Sequence, residues 1–394
     1  MQAISLEQRQ VNMPALESRE HISTGCVVVS AVFFIVLSQV LLFYFLGSVS
    51  EFFRPLIVFV LFFQNRKRST IATGPRIVAV LLMFHCSLVT IVFMEGTESL
   101  TYGFGIVLYL LMFFCVTGTD WNRREIRMIM MSCLVASALC AVILLAQNGP
   151  FDLSHDSIYF KFANGAVNRN RNAYAFALGT VIGVVFIRYD LFCSKLLILV
   201  MTGICGYGVI YSQCRGAFLC AAIAAVILYF DLYKEIRKRN ALLWFAFVIT
   251  TIIVIAGGYY LISHSESNRL LNIESQSGRD IANQVARDLY RNSNFFGQLF
   301  GHGFYFESRN SPLGYGAHNI YLTHLLATGL YGCVLYVLLF VTCFRYIRGP
   351  VSYAFFFMAF CKTFVETFDY YTYIPLILSV VIYQFNQKSN TPGY

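Results

Sequence analysis

Runs of about 15 to 24 apolar residues recur along this chain, and a segment of that kind has few ways to fold. In a bilayer every backbone N–H and C=O must bond within the segment or to a neighbouring strand, so each run is predicted to be a helix. Twelve are predicted, at 25–48, 51–63, 77–94, 104–118, 128–147, 173–187, 196–211, 216–231, 241–263, 319–340, 351–364 and 374–385. Those at 51–63, 351–364 and 374–385 are short, which calls for tilting or shelter by neighbours. Hydrophobic residues make up 58% of the chain and charged residues only 12%, where a soluble domain would spread more charge over its surface. The expected fold is an all-α, polytopic membrane domain spanning residues 1–394, with about twelve transmembrane helices.

The basic residues orient it. Arg66, Lys67, Arg68 and Arg76 fill one early loop, Arg123, Arg124 and Arg127 another, and acidic Glu95 and Glu98 lie between them. Lysine and arginine collect in cytoplasmic loops, so both termini are expected in the cytoplasm. A large external loop, 264–317, then falls between helices nine and ten. The polar first 24 residues lack a basic segment feeding a short apolar stretch and a small-residue cleavage site, so no cleaved signal peptide is expected.

Arginines on the other side run against that bias and point to an anionic ligand. Arg169 and Arg171 precede one helix, Arg215 stands between two helices with almost no loop, and Arg269, Arg279, Arg287, Arg291 and Arg309 lie in the long loop. For Arg269, Arg287, Arg291 and Arg309 simple solvation is an equal alternative. For Arg215 an uncompensated guanidinium so close to the apolar layer is costly, which favours a partner or ligand.

Within the long loop, Ser277 is suited to cap a helix over 278–290, with Ile281, Val285 and Leu289 on one face. Such an amphipathic helix fits a bilayer surface or the lid of a cavity. Arg279 is placed in its first turn, where free N–H groups and the helix dipole favour a bound phosphate; pairing with Glu274 or Asp280 is the structural alternative. His318 stands at the mouth of the next helix after Gly301, Gly303, Gly314 and Gly316, glycines that would let the backbone fold against a ligand. An imidazole there has the basicity to accept a proton from an attacking hydroxyl. His302 and His324 are lesser candidates. Asn319 and Tyr321 follow His318 directly, and Phe304, Tyr305, Phe306 and Tyr315 suit either sugar stacking or anchoring at the membrane interface.

Other chemistries find no support in the sequence. The twelve cysteines are scattered without a C-x-x-C pair, so no metal site or disulfide framework is expected. Neither a phosphate-binding loop nor a dinucleotide fingerprint is present, so no cofactor is expected. The net charge of +9 follows from clusters at helix ends, and nucleic acid is not an expected partner.

Four elements in order carry a resemblance: 168–173 (N-R-N-R-N-A), opening a helix, 212–217 (S-Q-C-R-G-A), 275–279 (S-Q-S-G-R) and 316–322 (G-A-H-N-I-Y-L), the last followed by Gly329 and Gly332. From about residue 165 to 336 the chain resembles the superfamily of O-antigen ligases and Wzy-type polysaccharide polymerases. Many relatives place serine directly before the arginine of the second element, whereas Gln213 and Cys214 separate Ser212 from Arg215 here, which leaves that alignment open.

The resemblance implies a metal-independent, inverting glycosyltransferase of the inner membrane that uses undecaprenyl-pyrophosphate-linked glycans. It implies catalytic roles for Arg215, Arg279 and His318, with Arg169, Arg171, Arg287, Asn319 and Tyr321 as substrate contacts. The active site is expected to face the periplasm or cell exterior, with a chain-length regulator and a flippase of the same pathway as partners. Polymerisation of lipid-linked repeat units is the favoured expectation, and ligation of the finished glycan to lipid A-core the alternative. A lipid-linked sugar transporter is the alternative of another class; no internal repeat of the kind such transporters carry is evident.

Overall fold

The computed structural model describes residues 22–38, 73–93, 96–148, 159–162, 165–189, 194–212, 214–239, 279–312, 319–365 and 370–389. The helices expected at 51–63 and 241–263 lie outside the described residues, as do Ser277, Tyr315 and His318.

In chain order the described elements are α1 (Thr24–Leu37), α2 (Thr73–Val92), α3 (Thr97–Thr117), α4 (Arg123–Asn148), β1 (Tyr159–Phe162), β2 (Gly165–Asn168), α5 (Arg169–Tyr189), α6 (Lys195–Ser212), α7 (Arg215–Arg239), α8 (Arg279–Arg291), α9 (Phe295–Phe300), α10 (Phe306–Asn310), α11 (Ile320–Tyr346), α12 (Pro350–Val365) and α13 (Tyr370–Ser389). Among the described residues helices thus fall in ten of the twelve predicted runs, α1 in the first part of 25–48. Among the described residues seven, α2 to α7 and α11, are long and apolar enough to cross a membrane. The all-α expectation needs one correction, because β1 and β2 form an antiparallel ribbon pairing Tyr159 with Asn168 and Phe162 with Gly165. The aromatic Y-F-K-F segment favours extended backbone, and its apolar length is far too short for a spanning helix.

The centre of the bundle is α5, whose residues 172–179 are buried on every side between α4, α6 and α7. Small residues make the close packing possible. A Cβ on Gly183 would fall 1.9 Å from Thr202 Oγ1 on α6, so only glycine lets the helices approach this far. Helices α7 and α12 pack along each other, as do α12 and α13, and α2 packs on both α3 and α11.

Contacts also sort the helix ends. At one end Glu125, in the first turn of α4, accepts from the Ser23 backbone N–H at 2.9 Å and from its hydroxyl. There too Arg76 of α2 lies 4.5 Å from the Phe114 ring of α3. Tyr189 at the end of α5 donates to Asp231 of α7 at 2.9 Å, and Arg188 stands 3.6 Å from the same carboxylate. Arg123, Tyr189, Asp231 and Pro350 line one cavity, so the start of α12 belongs to this basic end. Arg215, the start of α11 and the loop helices belong to the opposite end.

That opposite end contains a broken helix. Inside α11, Gly329 takes φ 68° and ψ −173°, a conformation that interrupts the ladder and leaves nearby carbonyls without helical donors. The strap between α9 and α10 replaces them: His302 N–H bonds Leu326 O at 2.9 Å and Gly303 N–H bonds Ala327 O at 3.0 Å. From the other side His85 Nε2 of α2 lies 2.8 Å from Thr328 O. A Cβ on Gly329 would lie 2.4 Å from the Leu299 backbone, and one on Gly301 would lie 2.3 Å from Ala327 O. Chain crosses chain here with no room for a side chain.

Candidate active site

Each sequence motif contains a helix start. Ribbon strand β2 runs straight into α5 at Arg169, with Arg171 in the first turn. Asn172 follows, 2% exposed, and among the described residues its Nδ2 has no hydrogen-bond partner. In the second motif Ser212 closes α6 and Arg215 opens α7. Ser212 Oγ accepts from Cys214 N–H at 3.4 Å and donates to Val209 O at 2.7 Å, which ties the end of α6 to the residue directly before Arg215, itself half-buried.

Arg279 opens α8 as expected. Packing of α8 differs from the predicted face, however. Its buried positions are Ala282 and Ala286, while Ile281 is 52% exposed. Ala286 packs with Leu326 of α11, flanked by Leu289, Tyr290, Leu322 and Phe306. Small alanines let α8 lie close on α11, where isoleucine would hold it away. Arg287 is exposed on the outer face of α8.

His318 directly precedes Asn319, the N-cap of α11. The Asn319 side-chain oxygen accepts from Tyr321 N–H at 2.9 Å and Leu322 N–H at 3.2 Å, satisfying two of the donors a helix start exposes. Tyr321 is tied sideways to α12, its hydroxyl accepting from Thr363 Oγ1 at 3.1 Å. It also meets Tyr336 edge-on with ring centres 5.9 Å apart.

Two other histidines serve the scaffold. His302 Nε2 lies 2.7 Å from Ser293 Oγ, and its ring stacks on Phe306 at 4.4 Å; burial lowers its pKa from the ordinary 6.5. His324 is fully buried, with Nδ1 3.2 Å from Thr328 Oγ1 and its ring 4.4 Å from that of Tyr336. Gly301 and Gly303 likewise pack on protein: Gly301 on the Ala327 carbonyl, Gly303 on Phe93. These glycines were expected to give a ligand room, and they give it to α11 and α2 instead. Phe304 is buried, while Tyr305 stacks on Tyr102 of α3 at 5.7 Å. A hydrogen bond to Glu98 pushes the exposed Tyr305 hydroxyl up from the ordinary tyrosine range.

One cation gains weight only from the structure. Lys362 of α12 is 1% exposed, with Nζ 4.6 Å from the centre of the Tyr174 ring of α5. Helices α7 and α12 pack together, and Asp231 and Pro350 line one cavity near opposite ends of the two, so they run antiparallel. At a rise of about 1.5 Å per residue, Arg215 stands about 24 Å above Asp231 and Lys362 about 18 Å above Pro350. The lysine thus lies roughly one turn below Arg215. Lys362 sits in an otherwise apolar run, and its sequence position alone does not separate a lysine facing lipid from one facing the bundle.

The architecture gathers the starts of α5, α7 and α11, together with α8, at one end of the bundle. Over residues 197–337 the chain matches the family model described as O-antigen ligase. The matched stretch runs from α6 into α11 and contains Arg215, Arg279 and His318. It agrees with the resemblance to the O-antigen ligase and Wzy superfamily drawn from the motifs. No curated protein matches the chain significantly.

Proposed function

We propose that this multi-pass membrane protein is a glycosyltransferase that joins lipid-linked oligosaccharide repeat units into a longer glycan at the outer face of the cytoplasmic membrane. The observation that supports the reading is that the motif-bearing helix starts, Arg215 on α7 and Arg279 on α8, belong to the same end of the bundle as the start of α11, which follows His318 directly in the chain. The O-antigen ligase match spans all three residues.

The donor is a glycan on a polyprenyl pyrophosphate, which carries its own leaving group. His318 takes the proton from an acceptor hydroxyl as that oxygen attacks the anomeric carbon from the face opposite the leaving group. The anomeric C–O bond breaks, its electron pair goes to the pyrophosphate, and Arg215 and Arg279 stabilise the charge that develops there. The anomeric configuration inverts, and the proton held by His318 later passes to solvent. Asn172 and Lys362 place polar and cationic groups inside the bundle, Arg169 and Arg171 are assigned to substrate contact from their motif, and Asn319 and Tyr321 hold the mouth of α11 in place. Neither nucleotide nor metal takes part.

Ligation to lipid A-core is the second reading, favoured by the description of the matching family; it uses the same donor site with a different acceptor.

The full chain in nanodiscs, given a defined lipid-linked repeat unit without nucleotide, is expected to produce a ladder of lengthened glycans. Addition of lipid A-core should not divert the product. Arg215→Ala, Arg279→Ala and His318→Ala should each reduce product at least 100-fold, as removal of a charge-stabilising or proton-transfer group does. Transfer to lipid A-core alone selects the ligase, and a full ladder from all three variants removes the assignment.

A further inference from the structure

A cavity of about 400 Å³ opens at the end of the bundle opposite the candidate active site, among α4, α5, α7, α12 and α13. Its volume lies in the range of small-ligand sites, about 300–1,000 Å³. Nothing in the glycosyl-transfer reading uses it.

Its walls are divided by polarity. Arg123 and Arg127, one helical turn apart on α4, stand at the rim with Tyr189 and Asp231, and all four are partly exposed. Asp231 is engaged by Tyr189 O–H at 2.9 Å and by Arg188 at 3.6 Å, and Glu125, between the two arginines in sequence, is bonded to Ser23 and to the Asn122 N–H, so the lining itself holds two arginines and one carboxylate. The floor is formed by Ile126, Met130, Val185 and Ile382, all buried.

A free anion would gain from the rim but nothing from this floor. An amphiphile with a negative head and an apolar body gains from both, because guanidinium groups fork onto phosphate oxygens while apolar area leaves water. We propose that this cavity binds the phosphate headgroup of an anionic phospholipid, with the adjoining glycerol and acyl chain against the apolar floor. The inference is independent of the proposed transfer reaction and does not fail with it.

The test uses the purified full chain in detergent and measures binding of short-chain phosphatidylglycerol, short-chain phosphatidylcholine and inorganic phosphate. Phosphatidylglycerol should bind at least tenfold more tightly than phosphatidylcholine. Arg123→Gln with Arg127→Gln should remove that preference, whereas Arg124→Gln with Arg345→Gln, an equal loss of charge outside the cavity lining, should keep it. Val351→Phe, which fills the cavity without altering charge, should weaken phosphatidylglycerol binding by a similar factor and carries the test if the first pair fails to fold. Equal binding of the two lipids, or equal effects of the two double variants, would overturn the proposal. Displacement of phosphatidylglycerol by inorganic phosphate at comparable concentration would overturn it too, by showing a site for the free anion.

Discussion

Lys362 Nζ lies 4.6 Å from the centre of the Tyr174 ring, which places an ammonium group from α12 against an aromatic face on α5. A desolvated contact of this kind contributes about 2 kcal/mol. Tyr174→Phe keeps the ring and should leave thermal stability in detergent within about 0.5 kcal/mol of the parent. Tyr174→Leu should lose most of the contact and cost about 3 kcal/mol once the lost aromatic volume is included. Lys362→Met removes a buried charge at small steric cost, so the protein should remain folded; glycan extension by the same preparation should fall at least tenfold.

Gly329 offers a sharper structural test. Its φ of 68° and the Leu299 backbone 2.4 Å from a hypothetical Cβ oppose any side chain twice over. Gly329→Ala is expected to destabilise the protein by about 3 kcal/mol or more, combining backbone strain with overpacking. Gly203→Ala in α6, where a Cβ meets nothing within 4 Å, should be neutral or slightly stabilising. Comparison of unfolding midpoints for the two alanine variants checks the pair.

The Asn319 cap lies next to His318. Asn319→Ala should cost about 1 kcal/mol through the two lost acceptor contacts, and Asn319→Asp should retain them. If the cap also positions the preceding imidazole, Asn319→Ala will lower kcat for glycan extension more than it raises KM, whereas a purely structural cap will leave both constants near the parent values.

His302 predicts a pH dependence outside the reaction. Burial lowers its pKa from 6.5, so the unfolded chain takes up a proton first as the solution is acidified. Stability should therefore be full well above pH 6.5, decline as pH falls through that value, and level off below the lowered folded pKa. His302→Gln should flatten this decline, read as melting temperature between pH 8 and pH 5. A decline of equal depth in the variant would assign the effect to another group.

Long apolar periodicity made most of the helices readable, because a run such as 77–94 has no competing fold in a bilayer. Helix starts were also readable: Arg279 opens α8, and Asn319, at the head of the run expected at 319–340, caps α11. The orientation of α8 was less legible, since its contact with α11 is made by Ala282 and Ala286, whose small size matters more than their hydrophobicity. Two glycines gave the wrong partner for a related reason. Gly301 and Gly303 signal close backbone approach, but one sequence cannot say whether ligand or protein fills the space. The partners prove to be Ala327 and Phe93, and the crossing exists only once distant segments meet. Lys362 was hidden in the same way, its value set by Tyr174, 188 positions earlier in the chain.

The interruption at Gly329 divides α11 mechanically as well as geometrically. A continuous rod transmits a tilt along its whole length, whereas here the outer piece, which carries Asn319 and Tyr321, joins the piece packed on α2 through one residue outside the helical region. The bonds from His302, Gly303 and His85 bridge that break, so the mouth of α11 is tied through the strap to α9 and α10 as well as through its own backbone.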